Sequence, residues 1–282
     1  MSFGLDSKVA QVSVVITNHN YGRFLTRTIE SVLAQIGVDI EIVVVDNGST
    51  DTSRKIIESF GNKVSFVYQG DVGQARGRNA GIEKSTKNLI AFLDADDYWE
   101  PTKLFRQTQL ITPDVQFVYS GIRQFNDSDG ATFKVISPRF LGDCRESFIK
   151  YPNLAIIPAG ESCSLVTRSL IDRIGAFDIT LNGATGRDFF RRCSVATNFN
   201  AIPEPLVHYR LHDSNYSKSV RLVMDDTELS YVRLFSDPNW DFALADKKKC
   251  LRTLQWSFFK TNIKNLDFGG SILNIIKIIK TI

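Results

Sequence analysis

The stretch Leu89-Ile90-Ala91-Phe92-Leu93-Asp94-Ala95-Asp96-Asp97 decides how the chain is read, because an unbroken apolar run ends in three carboxylates within four positions. A continuous apolar run is expected of a parallel strand covered on both faces. Toward the N-terminus the same signature recurs at 64–68 (VSFVY), 40–45 (IEIVVV) and 12–17 (VSVVIT), with helical patterns between. Leu25, Ile29, Val32, Leu33 and Ile36 follow Gly22 at helical spacing and stop at Gly37. Ser49 or Thr50 can cap a second helix whose inward residues are Ile56, Ile57 and Phe60. A third helix is predicted from Gln74 to about Lys84. This β-α-β-α-β-α-β order predicts an α/β fold with a mostly parallel central sheet and helices on both faces. Thr17, Asp46 and Asp94 each fall at or just past the carboxyl end of a strand, the edge at which open parallel sheets bind ligands.

Beyond Pro101 the pattern is mixed. Short strands are predicted at 116–120 and 162–167, a short helix at 168–174 closed by Gly175, and another helix beginning at Asp188. The expected division is a first half over 1–97, a second half over 98–217 that completes the sheet, and a helical extension over 218–282. The 282 residues are 43% hydrophobic and 23% charged, which excludes a disordered chain and a small disulfide-stapled scaffold. With 34 Lys and Arg against 31 Asp and Glu, the net charge of +3 suits an anionic ligand or a membrane surface but leaves no nucleic-acid footprint. Cys144, Cys163, Cys193 and Cys250 show no CxxC spacing and are expected as free thiols in a reducing compartment. No secretory signal pattern and no run of about 18 apolar residues is present, so a cytoplasmic protein is expected.

The acidic run carries the chemistry. Crowded carboxylates at a strand end repel one another unless a cation neutralises them, and an oxygen-rich site of this kind suits Mg²⁺ or Mn²⁺ shared with substrate phosphates. A solvated acidic turn is the plainer alternative, weakened here by Asp46 at a neighbouring strand end. In Gly73-Gln74-Ala75-Arg76-Gly77-Arg78-Asn79-Ala80-Gly81, two arginines fall in the first turns of a helix, where a cation opposes the helix dipole. Their presence makes sense if a phosphate or a nucleotide edge is held there.

Four segments in order, VSVVITNHNYGRFLTRTIESVLAQ, IVVVDNGSTD, GQARGRNAGI and IAFLDADD, resemble the nucleotide-sugar-binding half of the family 2 inverting glycosyltransferases with the GT-A fold. Ile174-Gly175-Ala176-Phe177-Asp178 and the segment from Tyr209 to Ser217 (YRLHDSNYS) extend the resemblance, which covers about residues 11 to 217. It implies that Thr17 and Asp46 line a nucleobase pocket and that Arg76 sits beside the base or the diphosphate. It further implies that Asp94 contacts ribose or donor sugar, and that Asp96 binds the metal bridging the phosphates. His212 would stand near that metal, with Arg210 or Ser217 near phosphate; His19 and His208 are read as structural. The family often carries Glu-Asp near the start of a helix in the second half. Here Gly186-Arg187-Asp188 stands, so Asp188 is the candidate base, with Asp178 and Glu161 in reserve. A helix N-terminal aspartate favoured by the dipole is the competing explanation of Asp188.

The expected activity is metal-dependent transfer of a sugar from a nucleotide diphosphate donor, UDP-linked by preference, to a hydroxyl of a glycan or lipid-linked acceptor. A nucleotidyltransferase or a non-catalytic nucleotide-sugar-binding protein are the alternatives. Near the C-terminus, Ile272, Ile275, Ile276 and Ile279 would share one face of a basic helix, able to lie peripherally on a membrane or to pack on protein.

Overall fold

The computed structural model describes residues 9–213, 215, 220–265 and 267–280. The four apolar runs form β1 (Ala10–Asn18), β2 (Val38–Asn47), β3 (Ser65–Gln69) and β4 (Leu89–Asp94). They pair in parallel in the order β3-β2-β1-β4. The right-handed crossovers this order requires are α1 (Gly22–Leu33), α2 (Ser53–Ser59) and α3 (Gln74–Lys84). Neither Ser49 nor Thr50 caps α2: its cap position is Thr52, without a side-chain bond. The Ser49 hydroxyl is instead drawn to the Asp46 carboxylate, while Asp51 accepts the Ser53 and Gly22 backbone N–H groups at 2.9 and 2.8 Å. Of the three residues expected to face inward from α2, Ile57 is buried, and Ile56 and Phe60 pack at the core margin. Helix α3 lies tight on the sheet because Gly81 faces β1, where a Cβ would stand 2.2 Å from the Val15 side chain.

The second half extends the same sheet. After β5 (Tyr98–Trp99) and α4 (Lys103–Thr108) come β6 (Phe117–Asn126), β7 (Thr132–Ile136) and α5 (Arg145–Lys150). Then follow β8 (Ser164–Thr167), α6 (Arg168–Ile174), α7 (Thr185–Ala196) and β9 (Phe199–Leu211). The strand order continues β4-β8-β6-β9-β5, with β8 antiparallel to both its neighbours and β7 paired at the outer end of β6. Helix α7 begins three residues before the predicted Asp188, β6 runs past residue 120 to Asn126, and β9 has no counterpart among the predicted strands. Beyond it, α8 (Val220–Leu234), a 3₁₀ segment (Pro238–Asp246), α9 (Lys247–Lys264) and α10 (Phe268–Lys280) form the helical extension. All four cysteines are free and buried. Among the described residues, no helix is long and apolar enough to cross a membrane.

Lys103, the first residue of α4, is wholly buried. Its Nζ donates to Gln107 Oε1 at 2.8 Å and lies 3.8 Å from the centre of the Trp99 ring. Burial pushes its pKa down to about 7. The unfolded chain keeps this proton to near its ordinary value, so folding expels it across the window between the two. The penalty is full below about pH 7 and fades as pH rises toward the unfolded value. Lys103→Met is therefore expected to stabilise the protein by about 1–3 kcal/mol in mildly acid buffer and by less in alkaline buffer. Urea unfolding in the two buffers reads the difference, and an equal gain in both would remove the buried charge as the cause.

Candidate active site

Strand register assembles the polar edge. Thr17 pairs with Asp94 across β1 and β4, and Asn18 pairs with Asp46 across β1 and β2, so the ends of three strands arrive level. Apolar residues on both faces hold these strands in the core, and the first polar side chains emerge together where the apolar runs stop.

Asp46 is buried at the end of β2. Its Oδ1 accepts from Asn18 Nδ2 at 2.7 Å and from the Ser49 hydroxyl, while Oδ2 receives only a long bond of 3.3 Å from the Ser49 backbone N–H. Thr17 Oγ1 lies 3.4 Å from Asp94 Oδ1. Arg78 donates from Nη2 to the same Asp94 oxygen at 2.9 Å. Its side chain is 2% exposed, whereas Arg76, two residues earlier on α3, is turned to solvent. Of the two arginines near the start of α3, Arg78 is the one whose guanidinium is bonded into the acidic edge. Helical spacing carried the signal, since Arg78 falls three residues after buried Ala75 and four before buried Ile82.

Asp96 and His212 meet, as the resemblance implied. His212 Nε2 lies 3.0 Å from Asp96 Oδ2, and Asn215 Nδ2 donates to that oxygen at 3.3 Å. The imidazole is packed edge-on to Tyr21 and tilted against Phe24, with ring centres 5.3 and 4.9 Å away. Burial raises the proton affinity of the Asp96 carboxyl; the His212 hydrogen bond opposes that rise and Asp94 adds to it. Asp97 is driven well above the usual carboxylate range by burial and by Asp96 and Asp94, while accepting the Arg210 backbone N–H at 3.0 Å. Arg210 stitches this turn further, donating from Nε to the Asp96 carbonyl at 2.8 Å and from Nη1 to Asp127 at 2.7 Å. Ser217 lies outside the described residues. His19 and His208 sit apart, His19 bonded to the Asn47 carbonyl and His208 to Glu100 while stacked on Tyr98.

One carboxylate and one imidazole form half of a divalent-cation site. A cation that completes its shell with phosphate oxygens and water needs no more from the protein. Among the described residues, no cluster of three or more acidic, histidine or cysteine side chains offers a closed metal cage. The donor set therefore fits an ion shared with a ligand.

Two adjoining cavities of about 360 and 220 Å³ open beside this edge. The larger is lined by Tyr21, Arg78 and Asp96, and the smaller by Ile156, Ile157 and Phe190; Asp94 and Glu161 line both. Asp188 lines neither. Its Oδ1 is held by Arg191 Nη2 at 3.1 Å and its Oδ2 by Arg192 Nε at 2.8 Å, on its own helix. The geometry thus leaves the candidate base outside the cleft, because arginines three and four residues on capture it along the helix surface. Asp178 is likewise engaged elsewhere, by Arg233 and Thr180. Sequence reasoning ranked Glu161 only in reserve, and it is the acid that reaches the cleft.

Residues 13–175 match the model of the family described as Glycosyl transferase family 2. An uncharacterised glycosyltransferase of Nostoc sp. is 32% identical over 77% of this chain and 70% of its own. WfaP of Escherichia coli, a UDP-Glc:α-D-GlcNAc-diphosphoundecaprenol β-1,3-glucosyltransferase, is 29% identical over 73% of this chain and 79% of its own. Among solved structures, TarS 1–349 of S. aureus with UDP-GlcNAc superposes with a TM-score of 0.73 at 16% identity, covering 96% of this chain and 81% of that one. The mannosyltransferase PcManGT of Pyrobaculum calidifontis with GDP-Man and Mn²⁺ gives 0.64 at 16% identity, over 94% and 79%. The sheet and its crossover helices have the GT-A-like fold. The chain belongs to glycosyltransferase family 2.

Proposed function

We propose that the protein moves one sugar, with inversion, from a UDP-linked donor to a hydroxyl of a lipid-linked glycan, with a divalent cation at Asp96. The observation that carries this reading is the pairing of Asp96 with His212 beside the Arg78–Asp94 ion pair, at the level end of three parallel strands. The Asp46 Oδ2, with one long bond, is free to accept the imino N–H of a uracil, and Thr17 steadies Asp94 for contact with ribose or donor sugar. Exposed Arg76 would flank the diphosphate from the opening turn of α3. A bound Mn²⁺ or Mg²⁺ would neutralise charge on the departing diphosphate; Asp96 and His212 would hold it, and Asn215 keeps the Asp96 carboxylate oriented. Family membership favours transfer over the two alternatives, nucleotidyl transfer and binding without catalysis.

Calorimetric titration of UDP, GDP and dTDP, each with and without Mn²⁺, tests the donor assignment. UDP is expected to bind at least tenfold more tightly with the metal than without. Failure of all three to bind folded protein would end the reading.

The acceptor assignment follows the lipid-linked diphosphate in the name of WfaP and the character of the helical extension. In α10 the polar Asn274 is buried, accepting from Asn262 and donating to Gln255, both at α9, while Ile272, Leu273 and Ile276 are exposed. The side chains of Ile275 and Ile279 lie outside the described ones. Helix α9 exposes Lys249, Arg252, Lys260 and Trp256. Cations with outward apolar and indole groups suit an anionic bilayer surface. The protein is expected to float with vesicles containing phosphatidylglycerol and to stay behind with pure phosphatidylcholine; equal recovery from both would exclude this surface.

A further inference from the structure

We propose that Glu161, in the short 3₁₀ turn Gly160–Cys163, receives the proton of the acceptor hydroxyl, in place of an acid carried by α7. The inference rests on the transfer reaction proposed above.

Space at the start of α7 makes the first argument. Gly186 is the second residue of that helix. A Cβ built on it would stand 2.7 to 2.9 Å from the carboxyl atoms of Glu161. The volume that any side chain at 186 would enter is thus already filled by a carboxylate, delivered from a different element. A side chain at 186 would push the carboxylate from this position.

The second argument is the bonding of that carboxylate. The Glu161 side chain is 10% exposed, and its Oε1 lies 3.0 Å from Arg78 Nη1. The Nη1 hydrogens, however, are directed to Gln74 Oε1 at 3.3 Å and Thr185 Oγ1 at 3.2 Å. Oε1 is left as a buried acceptor that receives no hydrogen bond. The nearby guanidinium favours the ionised carboxylate without aligning a donor on Oε1, so hydrogen-bonding capacity remains on this group that none of the described residues uses. Burial and Asp94 raise the proton affinity of this carboxyl while Arg78 lowers it.

Elimination supplies the third. Three carboxylates line the two cavities. Asp94 is bound to Arg78 and Thr17, and Asp96 to His212 and Asn215. Glu161 and Asp94 line both cavities; with Asp94 engaged by Arg78 and Thr17, Glu161 is the carboxylate left where an acceptor and the donor sugar would meet. In the step, the acceptor O–H proton passes to the Glu161 carboxylate as the oxygen bonds to the anomeric carbon. The bond from that carbon to the diphosphate oxygen breaks, and its electron pair leaves with the nucleoside diphosphate.

The test uses the full chain with Mn²⁺ and UDP-glucose, following UDP release with water as the acceptor. Glu161→Gln is expected to lower kcat by about 10²–10⁴-fold, leave UDP affinity within about threefold of wild type, and abolish the acid limb of the pH–rate profile. Glu161→Ala is expected to regain turnover when formate is added, a rescue that a merely structural residue would not show. Asp188→Asn is expected to retain kcat within about threefold. Undiminished turnover in Glu161→Gln, or loss in Asp188→Asn without loss in Glu161→Gln, overturns the assignment. If Glu161→Gln fails to fold, formate rescue of Glu161→Ala decides, and absence of rescue in folded Glu161→Ala counts against it. A wild-type protein that binds UDP with metal but turns over no UDP-, GDP- or dTDP-sugar would instead overturn the transferase reading itself.

Discussion

Asp96→Ala is expected to remove metal-dependent UDP affinity and to lower kcat/KM by about 10²–10³-fold, some 3–4 kcal/mol of transition-state stabilisation. The size follows from the position of this carboxylate. It is buried beneath the strand edge, with His212 Nε2 at 3.0 Å and Asn215 Nδ2 at 3.3 Å. Alanine removes the charge that would hold the cation, and it also deprives the imidazole of the partner that orients it. His212→Ala should cost less, because the carboxylate would remain. Thermal stability separates loss of a ligand from loss of structure. Asp94, Asp96 and Asp97 crowd one turn, so removing one negative charge relieves repulsion. The variant is expected to melt no lower than wild type in metal-free buffer. UDP titration with and without Mn²⁺, beside a melting curve, checks both halves; unchanged metal dependence would sink the assignment of Asp96.

Arg78→Met is expected to have the largest effect on folding, about 3–5 kcal/mol of destabilisation. The guanidinium is 2% exposed and lies between Asp94 at 2.9 Å and Glu161 at 3.0 Å. Methionine replaces its stem but leaves the Asp94 and Glu161 carboxylates without the cation between them. In the variant, protonating Glu161 relieves the repulsion between them, so its folded-state proton affinity must rise further above the unfolded value. Stability is then lost as pH rises through that interval, and the gap to wild type should widen from about pH 5 to about pH 8. Urea unfolding at both ends of the range measures it. A gap independent of pH would mean that lost packing, not charge, is the cause.

The first half of the fold was legible because β1, β2 and β4 are buried on both faces and therefore read as nearly uninterrupted apolar runs, while edge strand β3, with Phe66 exposed, was still marked by its apolar content. The runs of β1, β2 and β4 also end at or beside the polar residues of the edge, Thr17, Asp46 and Asp94. The strand β9 was not legible, since Pro203, Glu204 and Pro205 interrupt it and proline argues against a central strand. The sheet tolerates them at an irregularity: pairing with β6 shifts around Gly121, where a Cβ would strike the Pro203 carbonyl oxygen at 2.6 Å. That accommodation depends on two segments some eighty residues apart, which no local pattern reveals. Asp188 is a different case. Its arginines at i+3 and i+4 were visible, and the spacing that pairs charges along a helix outweighed the motif that suggested a base. Glu161 had no local signature at all. Its carboxylate occupies space that Gly186, on a different element, leaves open.

The way Arg210 holds the acidic turn bears on how such enzymes can be recombined. Its backbone and guanidinium fasten Asp96 and Asp97, and two residues later the chain supplies His212. Both lie beyond residue 175, where the family match ends. The first 97 residues are accordingly not a portable cassette. Grafted onto a foreign second half, they would bring Asp96 without its imidazole and the acidic turn without its clasp. A productive crossover point must lie after residue 215, so that the acidic turn and the residues that clasp it are inherited together and only the C-terminal helices are exchanged.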